Sequence, residues 1–113
     1  MPMYALRGAI NCSENSVTAI DSAVHELFTD IISSTGITEK DIVSIIVSAT
    51  SDITAKYPCE TIRKMGFENT ALLCVAEMAI DNSLPLTIRV LVHCHGAGTT
   101  KFYYCRDTVQ LRK

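Results

Sequence analysis

Residues 86–95, LTIRVLVHCH, place one arginine inside an apolar, β-branched run. The alternation reads as a strand with Ile88, Val90 and Val92 on one face and Arg89, Leu91 and His93 on the other. Arg89 is the anomaly, because a guanidinium keeps its charge and burying it unpaired costs several kcal/mol. It therefore needs an anion. One candidate is Glu77, twelve positions earlier; the other is a bound carboxylate or phosphate, which suits a planar fork of N–H donors. A structural ion pair and a ligand site both remain open at this point. His93 and His95 share a strand face, but no carboxylate or further histidine stands close in sequence, so no metal site is expected.

Working outward, Tyr4 to Ile10, YALRGAI, reads as a first strand with Ala5, Arg7 and Ala9 on one face. Arg7 is a second cation within a strand, and its plainest reading is a surface charge on an edge strand. Gly8 beside it leaves room for a close backbone or ligand approach, or marks a bulge. Asn15 or Ser16 then caps a helix running to about Ser34, with Val17, Ile20, Val24, Leu27, Phe28 and Ile31 forming its apolar stripe. Gly36 ends it, His25 lies on its solvent side, and residues 38–41, TEKD, make a capped turn. Ile42 to Ala49, IVSIIVSA, is a central strand expected to be covered on both faces. Pro58 opens a short helix that Gly66 stops, with Arg63 near its end. Ala71 to Val75 reads as a short buried strand, and Glu77 follows it. Residues 96–100, GAGTT, lack phosphate-loop spacing, and Phe102 to Arg112 reads as strand, turn and short strand.

The 113 residues suit one domain, 1–113, of the α/β (α+β) class, with a single layer of helices on a sheet. A net charge of −2 with no Lys/Arg cluster argues against nucleic acid as a partner. No apolar run approaches the roughly 18 residues that cross a bilayer, and no signal-peptide pattern opens the chain, so a cytoplasmic protein without membrane contact is expected. Five cysteines at irregular spacing, with no C-x-x-C pair, suggest reduced thiols rather than disulfides or a zinc knuckle.

The anomalies together are Arg7, Tyr57, Arg63, Cys74, Glu77, Arg89, Tyr104, Leu111 and Arg112. They amount to several cations, one acid and no nucleophile with a paired base. If the chain is an enzyme, its substrate is a small polyanion and its chemistry electrostatic and conformational.

The order of these motifs resembles that of the small trimeric chorismate mutases of the AroH class. The matching elements are Arg7-Gly8-Ala9, Ser48-Ala49-Thr50 with Asp52, Tyr57-Pro58, Arg63, Cys74 with Glu77-Met78, Ile88-Arg89-Val90, Tyr104 and Leu111-Arg112, spread over almost the whole chain. The resemblance implies a mixed sheet with helices on one face, a homotrimeric pseudo-α/β-barrel, and active sites in the clefts between subunits. It implies an isomerase that converts chorismate to prephenate by an intramolecular Claisen rearrangement, on the route to phenylalanine and tyrosine, without cofactor. In that reaction the ether C–O bond breaks ahead of C–C bond formation, so negative charge grows on the ether oxygen. By resemblance, Arg89 donates to that oxygen and to a neighbouring carboxylate. Arg7 and Tyr104 hold the enolpyruvyl carboxylate and favour the diaxial conformer. Glu77 and Cys74 receive the ring hydroxyl, with Glu77 facing the partly positive ring. Tyr57, Leu72 and Leu111 form the apolar wall, and Arg63 and Arg112 stand at the mouth.

Some positions depart from the family pattern. Where the family often has Phe-Pro-Ala-Lys, this chain has Tyr57-Pro58-Cys59-Glu60, an acid where a cation would attract a dianion. Ile10-Asn11-Cys12-Ser13 replaces a threonine-rich turn, Leu73 replaces a polar neighbour of the cysteine, and the ending after Arg112 leaves a minimal C-terminal lid as the expectation. Weaker substrate capture follows. Two rival readings differ in class: a trimeric enamine/imine deaminase-like enzyme, whose motifs are not evident here, and an inactive homologue that binds a metabolite carboxylate.

Overall fold

In the computed structural model, which describes residues 2–112, five strands join in one mixed sheet. They are β1 (Met3–Asn11), β2 (Ile42–Ala49), β3 (Ala71–Ala76), β4 (Thr87–His95) and β5 (Lys101–Tyr104), in the order β3-β2-β4-β1-β5. The run around Arg89 is the middle strand, antiparallel to both β1 and β2, while the outer pairs β2–β3 and β1–β5 are parallel. Arg7 is thus on an interior strand, not an edge.

Helices α1 (Val17–Thr35) and α2 (Pro58–Lys64) cover one face. Ser16 starts α1 by accepting the Ala19 amide proton at 3.1 Å, and Gly36 ends it in the left-handed region at φ 70°. Ile20, Val24, Leu27, Phe28 and Ile31 bury completely or nearly so against Leu6, Ile10, Ile45, Val47, Ile88 and Val92 of the sheet. Each such side chain contributes roughly 1.5–3 kcal/mol by leaving water. Val17 departs from the expected stripe, being half exposed in the first turn beside a cavity. His25 is exposed as expected.

Gly8 resolves its alternatives by packing. A Cβ there would meet Leu27 Cδ1 at 3.0 Å and the Tyr103 carbonyl oxygen at 3.1 Å, so the glycine admits a helix side chain and the β5 backbone, on the face away from Arg7.

Three further expectations are corrected. β2 is covered on one face only: Ile42, Ile45 and Val47 are buried, but Val43 is exposed and Ile46 half-buried on the side without helices. β3 is an exposed edge strand, with Leu73 59% and Val75 41% accessible. Apolar, β-branched composition signals burial without saying whether the same chain provides it. The C-terminal segment is a 3₁₀ helix (Arg106–Arg112), not a strand. Arg106 adopts a positive φ of 57°, which ends the extended run. Asn11 Oδ1 then accepts from the Asp107 amide at 3.0 Å, and the buried Thr108 hydroxyl donates to the Ala9 carbonyl at 3.0 Å.

Candidate active site

The open face of the sheet carries the first group of candidate residues. Residues directly paired across strands share a face, so the pairings Ser48–Arg89, Ala9–Arg89, Arg7–Leu91, Arg7–Phe102 and Ala9–Tyr104 place Ser48, Arg89, Arg7, Phe102 and Tyr104 together on the side without helices. Arg7 and Arg89 are diagonal neighbours on adjacent strands, a separation of roughly 7–8 Å at the backbone.

Glu77 enters this face from the end of β3. Its amide donates to the Ala49 carbonyl at 3.0 Å, extending the β2–β3 ladder by one step, and this carries the carboxylate over the end of β2. There the Ser48 hydroxyl donates to Glu77 Oε1 at 2.9 Å, and Arg89 Nε lies 2.9 Å from the same oxygen. The Arg89–Glu77 contact is an ion pair by distance but not a hydrogen bond by alignment: buried Arg89 Nε has no hydrogen-bond partner among the described residues. Charge is balanced while a directional donor is left unused. An unused buried donor costs about 1–3 kcal/mol.

Arg7 is exposed, and its guanidinium carbon stands 5.7 Å from the centroid of the Phe102 ring. That cation–π contact orients the arginine without neutralising it. Tyr104 is half-buried beside it on β5.

A second group occupies the other side of the β3 edge. Cys74 pairs with the buried Val47 and Leu72 with the buried Ile45, so both side chains face the helices, opposite to Arg89. A cavity of about 920 Å³ opens there, lined among others by Tyr57, Cys74, Glu60, Lys56 and Lys64. Tyr57 is 73% exposed, and Arg63 is exposed on α2. Glu60 Oε1 is 3.3 Å from Lys64 Nζ, so the acid at the mouth has a cation one helical turn on. Lys56 reaches back to Asp21, where it and the Thr61 hydroxyl, by hydrogen bonds, hold the Asp21 carboxyl below the usual carboxylate range. Cys74 Sγ contacts Cys59 Sγ of α2 at 2.7 Å, both thiols being free. Leu111 is half-buried on the C-terminal 3₁₀ helix, and the side chain of Arg112 lies outside the described residues.

Arg7, Glu77, Arg89 and Tyr104 therefore come together within the chain, and Tyr57, Leu72 and Cys74 come together separately. The sheet edge divides the two groups. Sequence reasoning counted Ser48 only within the matching element Ser48-Ala49-Thr50, without a role of its own, and assigned none to Phe102 or Lys56. A lysine in a loop carries no distinguishing signal, and Phe102 stands out only once the parallel β1–β5 register sets it against Arg7.

Comparison with known proteins bears on the same arrangement. The family model described as chorismate mutase type I matches residues 3–113. The chain belongs to that family. It is 32% identical over 111 residues to chorismate mutase AroH of Thermus thermophilus, covering 95% of this chain and 91% of that one. It is 27% identical over 93 residues to chorismate mutase AroH of Bacillus subtilis (strain 168), covering 81% and 73%. Its fold matches the solved chorismate mutase from Clostridium thermocellum at a TM-score of 0.89 and 32% identity, covering 94% of this chain and 97% of that one. For a type I family member, the mixed sheet with helices on one face is the expected frame, and the sequence reading of the family is right. The described residues include no helix long and apolar enough to cross a membrane.

Proposed function

We propose that this family member rearranges chorismate to prephenate, as an isomerase, in clefts formed when one copy's open sheet face meets the β3 edge and α2 of a neighbouring copy in a homotrimer. The observation that carries this reading is the pair of diagonal arginines on the uncovered face, with the Arg89 side chain 41% exposed although its Nε is held beside Glu77. Chorismate is a dianion, and two fixed guanidinium groups suit two carboxylates.

Arg89 is the residue for the developing charge. As the ether bond lengthens, negative charge gathers on its oxygen, and a donor already fixed by Glu77 needs no reorganisation to meet it. Glu77, oriented by Ser48, keeps the arginine in place and faces the ring fragment as that becomes relatively positive. Arg7, steadied by Phe102, together with Tyr104, takes the enolpyruvyl carboxylate and selects the diaxial conformer, which is an orientation effect. Tyr57, Leu72 and Leu111 supply apolar wall, Cys74 receives the ring hydroxyl, and Arg63 and Arg112 flank the entrance. No covalent intermediate and no cofactor are required.

Exposed apolar groups support the assembly on physical grounds. Leu73 and Val75 on the exposed edge strand, with Met78 just after it in sequence and Tyr57 lining the same cavity as Val75, are large apolar groups that a neighbouring copy would cover. It would also unite the two groups that the sheet edge divides.

The test is to add chorismate to purified protein and follow loss of its ultraviolet absorbance, with prephenate identified by acid conversion to phenylpyruvate. Turnover that disappears in a folded Arg89→Ala protein supports the assignment. A folded trimer without turnover, still binding a bicyclic transition-state mimic, would replace it with a carboxylate-binding module.

A further inference from the structure

Cys59 and Cys74 bring two thiols together beside the large cavity, with Cys74 in its wall. Cys59 lies in the first turn of α2 and Cys74 on β3, fifteen residues apart, with their sulfurs 2.7 Å from each other. The two sulfurs differ in access. Cys74 is half-buried and lines the cavity, whereas Cys59 is 6% exposed behind it.

We propose that Cys59 and Cys74 form a thiol–disulfide exchange site, modified by low-molecular-weight disulfides that enter the cavity, and that they close a reversible disulfide between α2 and β3. The Cys74 thiolate attacks one sulfur of the incoming disulfide RSSR. A Cys74–S–SR bond forms, the RS–SR bond breaks, and RS⁻ leaves. Cys59, already in contact with Cys74 Sγ, then loses its proton to solvent or to the departing thiolate and attacks that sulfur. The Cys59–Cys74 bond forms and the second RS⁻ departs, so two thiols are oxidised and one external disulfide is reduced to two thiols.

The electrostatics fit this division of roles. The contact between the two thiols lowers the Cys74 pKa from its usual value, while the same contact and burial push Cys59 up. Cys12 and Cys94 are buried and pushed up by that burial, and burial with Asp30 raises Cys105 to about 11. The thiol whose ionisation is favoured is thus also the one to which the cavity gives access. The bond would turn the Cys74 sulfur toward α2 and away from the cavity. Its effect on turnover rests on the mutase reading, whereas the exchange itself does not.

The experiment treats reduced, purified full chain with oxidised glutathione, quenches with acid, and alkylates under denaturing conditions for intact mass and peptide mapping. Reduced protein carries five alkylated cysteines. The expected oxidised product carries three, with a 59–74 cross-linked peptide that dithiothreitol reverses. Cys59→Ser, unable to resolve, should accumulate one glutathione adduct on Cys74. Five alkylated cysteines after treatment, a disulfide joining another pair, or no adduct on Cys74 in Cys59→Ser would each overturn the proposal. Chorismate turnover measured on the same samples separates the two readings. Loss of turnover in the oxidised form, restored by dithiothreitol, extends the exchange to control of the site. A reduced chain with no turnover fails the mutase reading while the mass count still decides the exchange.

Discussion

Replacing Arg89 with lysine keeps a charge and removes a geometry. The arginine presents five N–H donors in a rigid fork; lysine presents three from one nitrogen. In the folded chain Arg89 Nε stands 2.9 Å from Glu77 Oε1, so the lysine nitrogen can remain with Glu77 or reach substrate, but cannot do both with good alignment. On the proposed function, up to two charge-assisted hydrogen bonds, to the ether oxygen and a carboxylate, are then lost, each worth about 1.5–3 kcal/mol. Together they amount to about 3–6 kcal/mol, a fall of roughly 10²–10⁴ in rate. The lower part of that range is the better expectation, since removing one donor from an oxyanion site lowers kcat by roughly 10²–10³. Folding stability should change by under about 1 kcal/mol, because the side chains of Arg89 and Glu77 are 41% and 23% exposed and the charge is conserved. The assay is chorismate consumption over a substrate range, giving kcat and KM separately, with a thermal melt of the same protein. The expected result is a large loss in kcat with KM changed far less and Tm nearly unchanged. A kcat within about threefold of the parent would refute the transition-state role. Preserved turnover with a fall of many degrees in Tm would make Arg89–Glu77 a structural pair.

Three other outcomes follow. Glu60→Lys should lower KM for chorismate with little change in kcat, since it replaces an acid beside the cavity by a cation; an unchanged KM in steady-state kinetics would show that the Glu60–Lys64 pair already neutralises the mouth. Gly8→Ala should destabilise the fold by about 1–3 kcal/mol in urea denaturation, because the added Cβ meets the rigid Tyr103 carbonyl at 3.1 Å as well as Leu27. The hydrogen bonds from Lys56 and Thr61 lower the Asp21 pKa in the folded state, so their stabilisation is full above the unfolded carboxyl pKa of roughly 3.9 and is lost as pH falls through the lower folded value. Lys56→Met should accordingly flatten the decline in denaturation midpoint below about pH 4, and an unaltered acid limb would count against the linkage.

The sequence by itself determined every strand and helix that local chemistry specifies. Ser16 and Gly36 cap α1, Pro58 opens α2, and the alternation around Arg89 assigns its two faces correctly, because caps and side-chain periodicity act over a few residues. The motif order from Arg7 to Leu111 was also enough to place the chain in its family. Only the tertiary structure decided which face each group serves. Glu77 reaches Arg89 through one extra step of the β2–β3 ladder, and Cys74 turns to the opposite side because it is paired with Val47, neither of which spacing along the chain encodes. The C-terminal segment coils instead of extending because Asn11 and Ala9, about a hundred residues earlier, offer it hydrogen bonds that no local propensity records. The contact between Cys59 and Cys74 has the same origin. A helix and a strand packed face to face bring together two sulfurs that the sequence shows only as irregularly spaced cysteines.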